Sequence, residues 1–137
     1  FCFVIHTKNP MSNDENEVYI EMAVGLGETL ASANQPGTPY RLIFKKKEGE
    51  VNILSFANYS SGLFSSLKQK QLTTKPVDYT KIIFSQKIEA LLAIGEKLGR
   101  IGVEIEKEYQ SFQDIEGAIV ESNGKLLVYV VQTRSQV

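Results

Sequence analysis

The chain has no tryptophan, one cysteine, one histidine and no apolar run of membrane-spanning length. Without tryptophan it lacks the flat indole platform on which carbohydrate-binding modules commonly stack sugar rings. A lone cysteine, Cys2, excludes an internal disulfide and fits a reducing compartment or plain burial in a strand. A formal net charge of −1 argues against a general polyanion binder, nucleic acid included, while leaving room for a local cationic site. What is present is a soluble, globular composition, with 42% hydrophobic and 23% charged residues in 137, enough for one domain or a piece of one. The chain opens on a strand-like Phe-Cys-Phe-Val-Ile with neither an initiator methionine nor a targeting segment, which reads as a cut from a longer protein.

Alternation and turn residues predict strands at 1–5, 18–24, 40–44 and 51–56. Pro10 and the polar 12–16 stretch close the first pair into a hairpin. In the second strand Val18, Ile20, Met22 and Val24 share one face, and Tyr19, Glu21 and Ala23 the other. Gly25-Leu26-Gly27-Glu28 leads into a short helix at most over 29–33, and two glycines before a helix start can let backbone N–H groups approach an anion. The run Lys45-Lys46-Lys47 reads as a solvated hairpin tip. Residues 60–75 are polar and read as a loop with at most a turn of helix. From Ser85 to about Tyr109 the period becomes helical, with Leu91, Ile94, Leu98, Ile101, Ile105 and Tyr109 forming one apolar stripe. Gly95, Gly99 and Gly102 weaken that helix by roughly 1 kcal/mol each against alanine, which close packing on a strand would explain.

The stretch 112–134 carries the chemistry. Two β-rich runs flank Asn123-Gly124, a hairpin signal. Asp114 and Glu116 begin the first strand, and Gln132 and Arg134 end the second. Residues two apart point to one face, so each strand offers a polar pair. A two-residue loop would pair Glu116 with Val131 and separate the pairs. A three-residue loop over 122–124, the expected arrangement, or a bulge with the same effect, brings Glu116 and Gln132 together. Carboxylate and amide oxygens on one rigid face suit Mg²⁺, and a nearby guanidinium suits a phosphate oxygen. The same residues would also serve a solvent-facing hairpin end with a surface ion pair.

Asp-Ile-Glu, a turn and Val-Gln-Thr-Arg resemble the closing hairpin of the ATP-grasp domain in the dikinases: pyruvate phosphate dikinase, phosphoenolpyruvate synthase and the glucan water dikinases. Phe-Val-Ile-His-Thr-Lys-Asn-Pro and Glu-Met-Ala-Val-Gly-Leu-Gly-Glu-Thr-Leu-Ala-Ser are more similar to the glucan enzymes. Gly37 to Leu42, Leu54 to Ser60 and Val77 to Thr80 resemble the phosphoglucan water dikinase branch. The resemblance implies that Glu116 and Gln132 hold Mg²⁺ on the phosphates of ATP. It implies that Arg134 contacts those phosphates as the catalytic cation, with Asp114 as a supporting acid. Thr7, Glu21 and Glu28 are further candidates for facing the nucleotide. His6 lies on a strand of the nucleotide-binding lobe and is read as structural. The phosphorylated histidine of this family sits on another domain.

The expected fold is therefore α+β, a mainly antiparallel sheet with one long packed helix. Residues 1–137 would form a single unit, the C-terminal lobe of an ATP-grasp domain. The implied parent transfers the β-phosphate of ATP through a phosphohistidine to a starch-like glucan, releasing AMP and phosphate. Its glucan would be held by absent domains, with no membrane or nucleic-acid partner and a location in plastid or cytoplasm. The alternatives are a pyruvate- or phosphoenolpyruvate-directed enzyme using the same lobe, and a degenerate ATP-grasp scaffold. Alone, the chain is expected to be inactive and to bind Mg-nucleotide weakly at best.

Overall fold

Alternation of apolar residues decides which side of each strand is covered, and that choice places every polar group considered below. The computed structural model describes residues 1–27, 30, 36–66 and 71–137. The short helix expected at 29–33 falls, Leu30 apart, outside the described residues, and so does Glu28. Six strands form one sheet in the order β4-β3-β2-β1-β7-β8. They are β1 (Cys2–His6), β2 (Glu17–Ala23), β3 (Tyr40–Lys45), β4 (Glu50–Ser55), β7 (Gln113–Ser122) and β8 (Lys125–Ser135). All neighbours in it run antiparallel.

The polar stretch after Ser60 corrects one expectation. Instead of a loop it forms a second, two-stranded sheet from β5 (Ser61–Ser66) and β6 (Gln71–Pro76). The hairpin is anchored at its base, where Leu26 N–H donates to the Leu63 carbonyl and Val77 N–H to that of Ser60. Serine and threonine suit such an exposed ribbon, so no apolar alternation announced it.

The helical stretch also begins differently. A short turn α1 (Ile83–Gln86) is separated from the long helix α2 (Ile88–Tyr109) by an extended Lys87 at φ −129° and ψ 110°. Helix α2 lies across one face of the six-stranded sheet, against β1, β2, β3, β4 and β7. Its buried residues are Leu91, Ile94, Gly95, Leu98, Gly99 and Gly102. The expected stripe therefore holds for its first half and fails at Tyr109, which is 59% exposed. Beyond Leu98 the closest approach to the sheet is made by Gly99 and Gly102, with Val103 and Ile105 half-buried against the core. A Cβ on Gly95 would meet Leu42 and Val51, one on Gly99 would strike the Phe44 ring, and one on Gly102 would meet Ile5. The missing methyls let helix backbone rest on strand side chains, which offsets their low helix propensity. The covered layer is Phe3, Ile5, Val18, Ile20, Met22, Leu42, Phe44 and Ile115 against Leu91, Ile94 and Leu98. Each such side chain contributes about 1.5–3 kcal/mol by leaving water.

The hairpin tips show two more departures. Lys46 is drawn back to Glu106 on α2, 2.7 Å away, and over the Phe112 ring, so it is not a solvated tip residue. At the β7–β8 turn, Asn123 and Gly124 have φ of 51° and 78°, the backbone of a two-residue type I′ loop. Ser122 pairs with Lys125, which excludes the three-residue loop expected from the sequence. The register is reset farther down. Gly117 pairs with Val130 but Glu116 pairs with Gln132, leaving Val131 as the extra residue of a β-bulge.

Candidate functional site

The bulge decides the site. Directly opposed residues of antiparallel strands share a face, so Glu116 and Gln132 stand side by side on the face turned away from α2. Gly117 makes this possible. It faces the helix side beside Phe3, and a Cβ there would lie 2.7 Å from Phe3 Cε2 and closer still to the Tyr129 carbonyl oxygen. Only a residue without a side chain lets β8 fold back so tightly at this level.

Register carries the pattern across the whole sheet. Glu116 pairs with Val4, Val4 with Glu21, and Glu21 with Arg41. The neighbouring row runs Arg134, Asp114, His6, Tyr19 and Ile43. Both rows lie on the face away from the helix. Glu116, Gln132 and Arg134 are exposed at the β7–β8 end, whereas Val4, His6, Glu21, Arg41 and Asp114 are half-buried. Glu21 sits two strands from Glu116, about 10 Å at ordinary strand spacing.

Asp114 is shared between an imidazole and a guanidinium. Its Oδ1 lies 2.6 Å from His6 Nδ1, and its Oδ2 lies 4.0 Å from Arg134 Nε. An ionised carboxylate only accepts, so the proton on this contact belongs to Nδ1 of His6. The His6 ring is further held by stacking on Tyr19, with centroids 6.0 Å apart. Burial, and next the Glu21 charge, push the Tyr19 hydroxyl up to about 12, with Arg41 opposing. The Tyr59 hydroxyl is raised in the same way, by burial first and then by Glu21. Both phenols therefore remain neutral, lying beside a carboxylate and a guanidinium. Arg41 Nε is buried with no hydrogen-bond partner among the described residues. Sequence reading passed over Arg41, although a charged residue between Tyr40 and Leu42 in an inner strand was a signal for the uncovered face.

Thr7 does not join this group. It is fully buried on the helix side, where its hydroxyl accepts from Gln113 N–H at 2.8 Å and its N–H donates to the Gln113 carbonyl at 3.0 Å. It fastens the end of β1 to β7. Asp114, Glu116, Gln132 and Arg134 are brought together, and Glu21 lies on the same face farther in. Among the described residues no three His, Cys, Asp or Glu side chains converge as a self-sufficient metal cage. A cleft of about 480 Å³ between Phe56–Tyr59 and Val77–Thr80 lies elsewhere. There Asp78 caps Thr80 and the Asn58 side-chain oxygen accepts from Thr38. The exposed β7–β8 end of the sheet face turned away from α2 is the better candidate.

Comparison with known proteins identifies the family. The family model described as "Pyruvate phosphate dikinase, AMP/ATP-binding domain" matches residues 3–137. The chain is 35% identical over 162 residues to a chloroplastic alpha-glucan water dikinase of Solanum tuberosum, covering 99% of this chain and 11% of that protein. It is 34% identical to alpha-glucan water dikinase 1 of Arabidopsis thaliana, covering 100% of this chain and 11% of that protein. It is 28% identical to phosphoenolpyruvate synthase of Pyrococcus furiosus, covering 96% of this chain and 16% of that protein. The chain thus spans about a tenth of the plant relatives. Among the described residues no helix is long and apolar enough to cross a membrane.

Proposed function

Because the chain belongs to the family of pyruvate phosphate dikinase AMP/ATP-binding domains, we propose that its uncovered sheet face holds the phosphates of Mg-ATP. Glu116 and Gln132 would supply oxygen ligands to Mg²⁺, and Arg134 would be the catalytic cation on the phosphates. The observation that carries this is the direct pairing of Glu116 with Gln132, restored by a bulge at Gly117. Mg²⁺ dehydrates reluctantly and is commonly held by one or two protein oxygens plus phosphates and water, so a two-donor site fits it. When bound, the ion would neutralise charge developing on the transferring phosphoryl group.

The chain's own residues hold and orient. Arg134 is 71% exposed and offers a planar fork of donors to phosphate oxygens. Asp114 stands behind it. Glu21, about two strands inward, is proposed to meet the nucleotide away from the metal. Glu28 keeps its proposed role through the resemblance alone, and Thr7 is left out because its hydroxyl is engaged.

For the whole protein we infer a dikinase that passes the β-phosphate of ATP through a histidine on another domain to a starch-like glucan. AMP and phosphate would be released, and the chain would be the C-terminal part of the nucleotide-binding domain. The plant relatives' names support the glucan and a plastid location, and their identity of 34–35% exceeds the 28% shared with phosphoenolpyruvate synthase. The phosphoglucan branch is retained as the specific proposal. The chain alone is proposed to lack activity.

Titration of Mg-ATP into the full-length protein tests this reading. Glu116→Ala is expected to weaken binding about tenfold or more, the usual cost of disturbing a metal's surroundings. Equal binding and equal phosphorylation in wild type and variant would remove the assignment.

A further inference from the structure

We propose that His6 is a positioning residue that keeps Arg134 free for an anion by holding Asp114 away from it; the inference rests on the nucleotide reading of this face. Three residues in one row of the sheet make the argument. His6 faces Asp114 across β1–β7, and Asp114 faces Arg134 across β7–β8. A carboxylate directly opposite an arginine ordinarily closes a bidentate ion pair. Here it does not. The carboxylate is turned toward the imidazole at 2.6 Å, while Arg134 Nε stays 4.0 Å away, beyond hydrogen-bond length.

His6 can hold that pull because it is itself fixed. β1 is an inner strand between β2 and β7, and the ring lies on Tyr19. The side chains of His6 and Asp114 are only 24% and 20% exposed, against 71% for Arg134. The buried partner is engaged, and the exposed one has no hydrogen bond among the described residues, so its donors stay open. Removal of the His6 donor returns the carboxylate to its cross-strand neighbour. The guanidinium is then satisfied within the protein and drawn down onto the sheet.

Two substitutions separate the donor from the ring. His6→Asn keeps an N–H close to the position of Nδ1, and His6→Phe keeps the stack on Tyr19 but donates nothing. In the full-length protein, with Mg-ATP affinity read by titration calorimetry and folding by the thermal midpoint, His6→Phe is expected to weaken binding about tenfold. His6→Asn is expected to recover most of that loss. In an Arg134→Ala background His6→Phe is expected to cause no further loss, since its effect runs through that arginine. The proposal is overturned if His6→Phe changes only the thermal midpoint, if His6→Asn recovers nothing, or if the loss persists without Arg134. If Glu116→Ala and Arg134→Ala themselves leave Mg-ATP affinity unchanged, the nucleotide reading fails and this inference falls with it.

Discussion

Gly117→Ala is the substitution that most directly challenges the site, because it adds one methyl where two chain segments meet. The new Cβ would sit 2.7 Å from Phe3 Cε2, and closer to the Phe3 ring tip and the Tyr129 carbonyl oxygen. Unbonded heavy atoms rest about 3.5–4.0 Å apart, so the overlap is severe. Overpacking usually costs about 1–3 kcal/mol, and the upper end applies because a backbone oxygen cannot rotate aside. Each cross-strand pair returns only about 0.2–1 kcal/mol, so expelling the bulge is the cheaper response. With the Asn123-Gly124 turn kept, an unbulged ladder pairs Glu116 with Val131 and turns Gln132 to the helix side. The variant should therefore behave as though a metal ligand were gone, with Mg-ATP affinity down about tenfold or more in the full-length protein. Calorimetric titration measures the affinity, and amide exchange along β7 and β8 reports the changed ladder. Unchanged affinity together with unchanged exchange would refute the argument from register.

Gly99→Ala provides the contrast, since its Cβ would meet the Phe44 side chain, 2.6 Å from the Phe44 Cβ, far from the site. It is expected to lower stability by up to about 2 kcal/mol, overpacking partly offset by helix propensity, with Mg-ATP affinity unchanged in the same titration. The hydroxyls of Tyr19 and Tyr79 are pushed from 10.0 to about 12, burial first in both. Above about pH 10 the unfolded chain loses these protons before the folded one, so stability should fall as pH rises toward 12, visible as a declining thermal midpoint in alkaline buffers. Burial pushes the Cys2 thiol from 9.0 up to about 11, so at pH 8 it should react with an alkylating reagent only as fast as the chain opens, followed by mass spectrometry.

The strands, the long helix and the grouping of four polar residues were legible because each rests on a short-range period or a turn dipeptide. Val18, Ile20 and Met22 alternate as a half-covered strand must, and they are fully buried. The bulge was harder to see. One extra residue leaves no trace in alternation, and the three-residue loop offered another route to the same pairing. Gly117 was the available clue, and its meaning depends on Phe3, a residue more than a hundred positions away. The helical stripe fails only at its last position, where Tyr109 is 59% exposed although Ile105, one turn earlier, still packs against the core. The β5–β6 ribbon escaped because Leu63, Phe64 and Leu72 stand among polar residues without alternating, and because it is fastened from outside. Thr7 was placed near the nucleotide from its position at a strand end, and only the register shows it turned toward the helix.

The displaced residue at Val131 also divides the terminal ribbon into two segments of different pairing phase. Beyond Gly117 the ribbon follows the phase of its own turn, while the mouth follows the phase of β1. A graft at the Asn123-Gly124 end that preserves strand parity can therefore carry a dye or a tether without rotating the acid and amide below. Deleting Val131 itself would bring Gln132 directly opposite Glu116 in a regular ladder, keeping acid and amide on one face without the bulge. The distal half is thus the natural handle for attaching a reporter to this lobe.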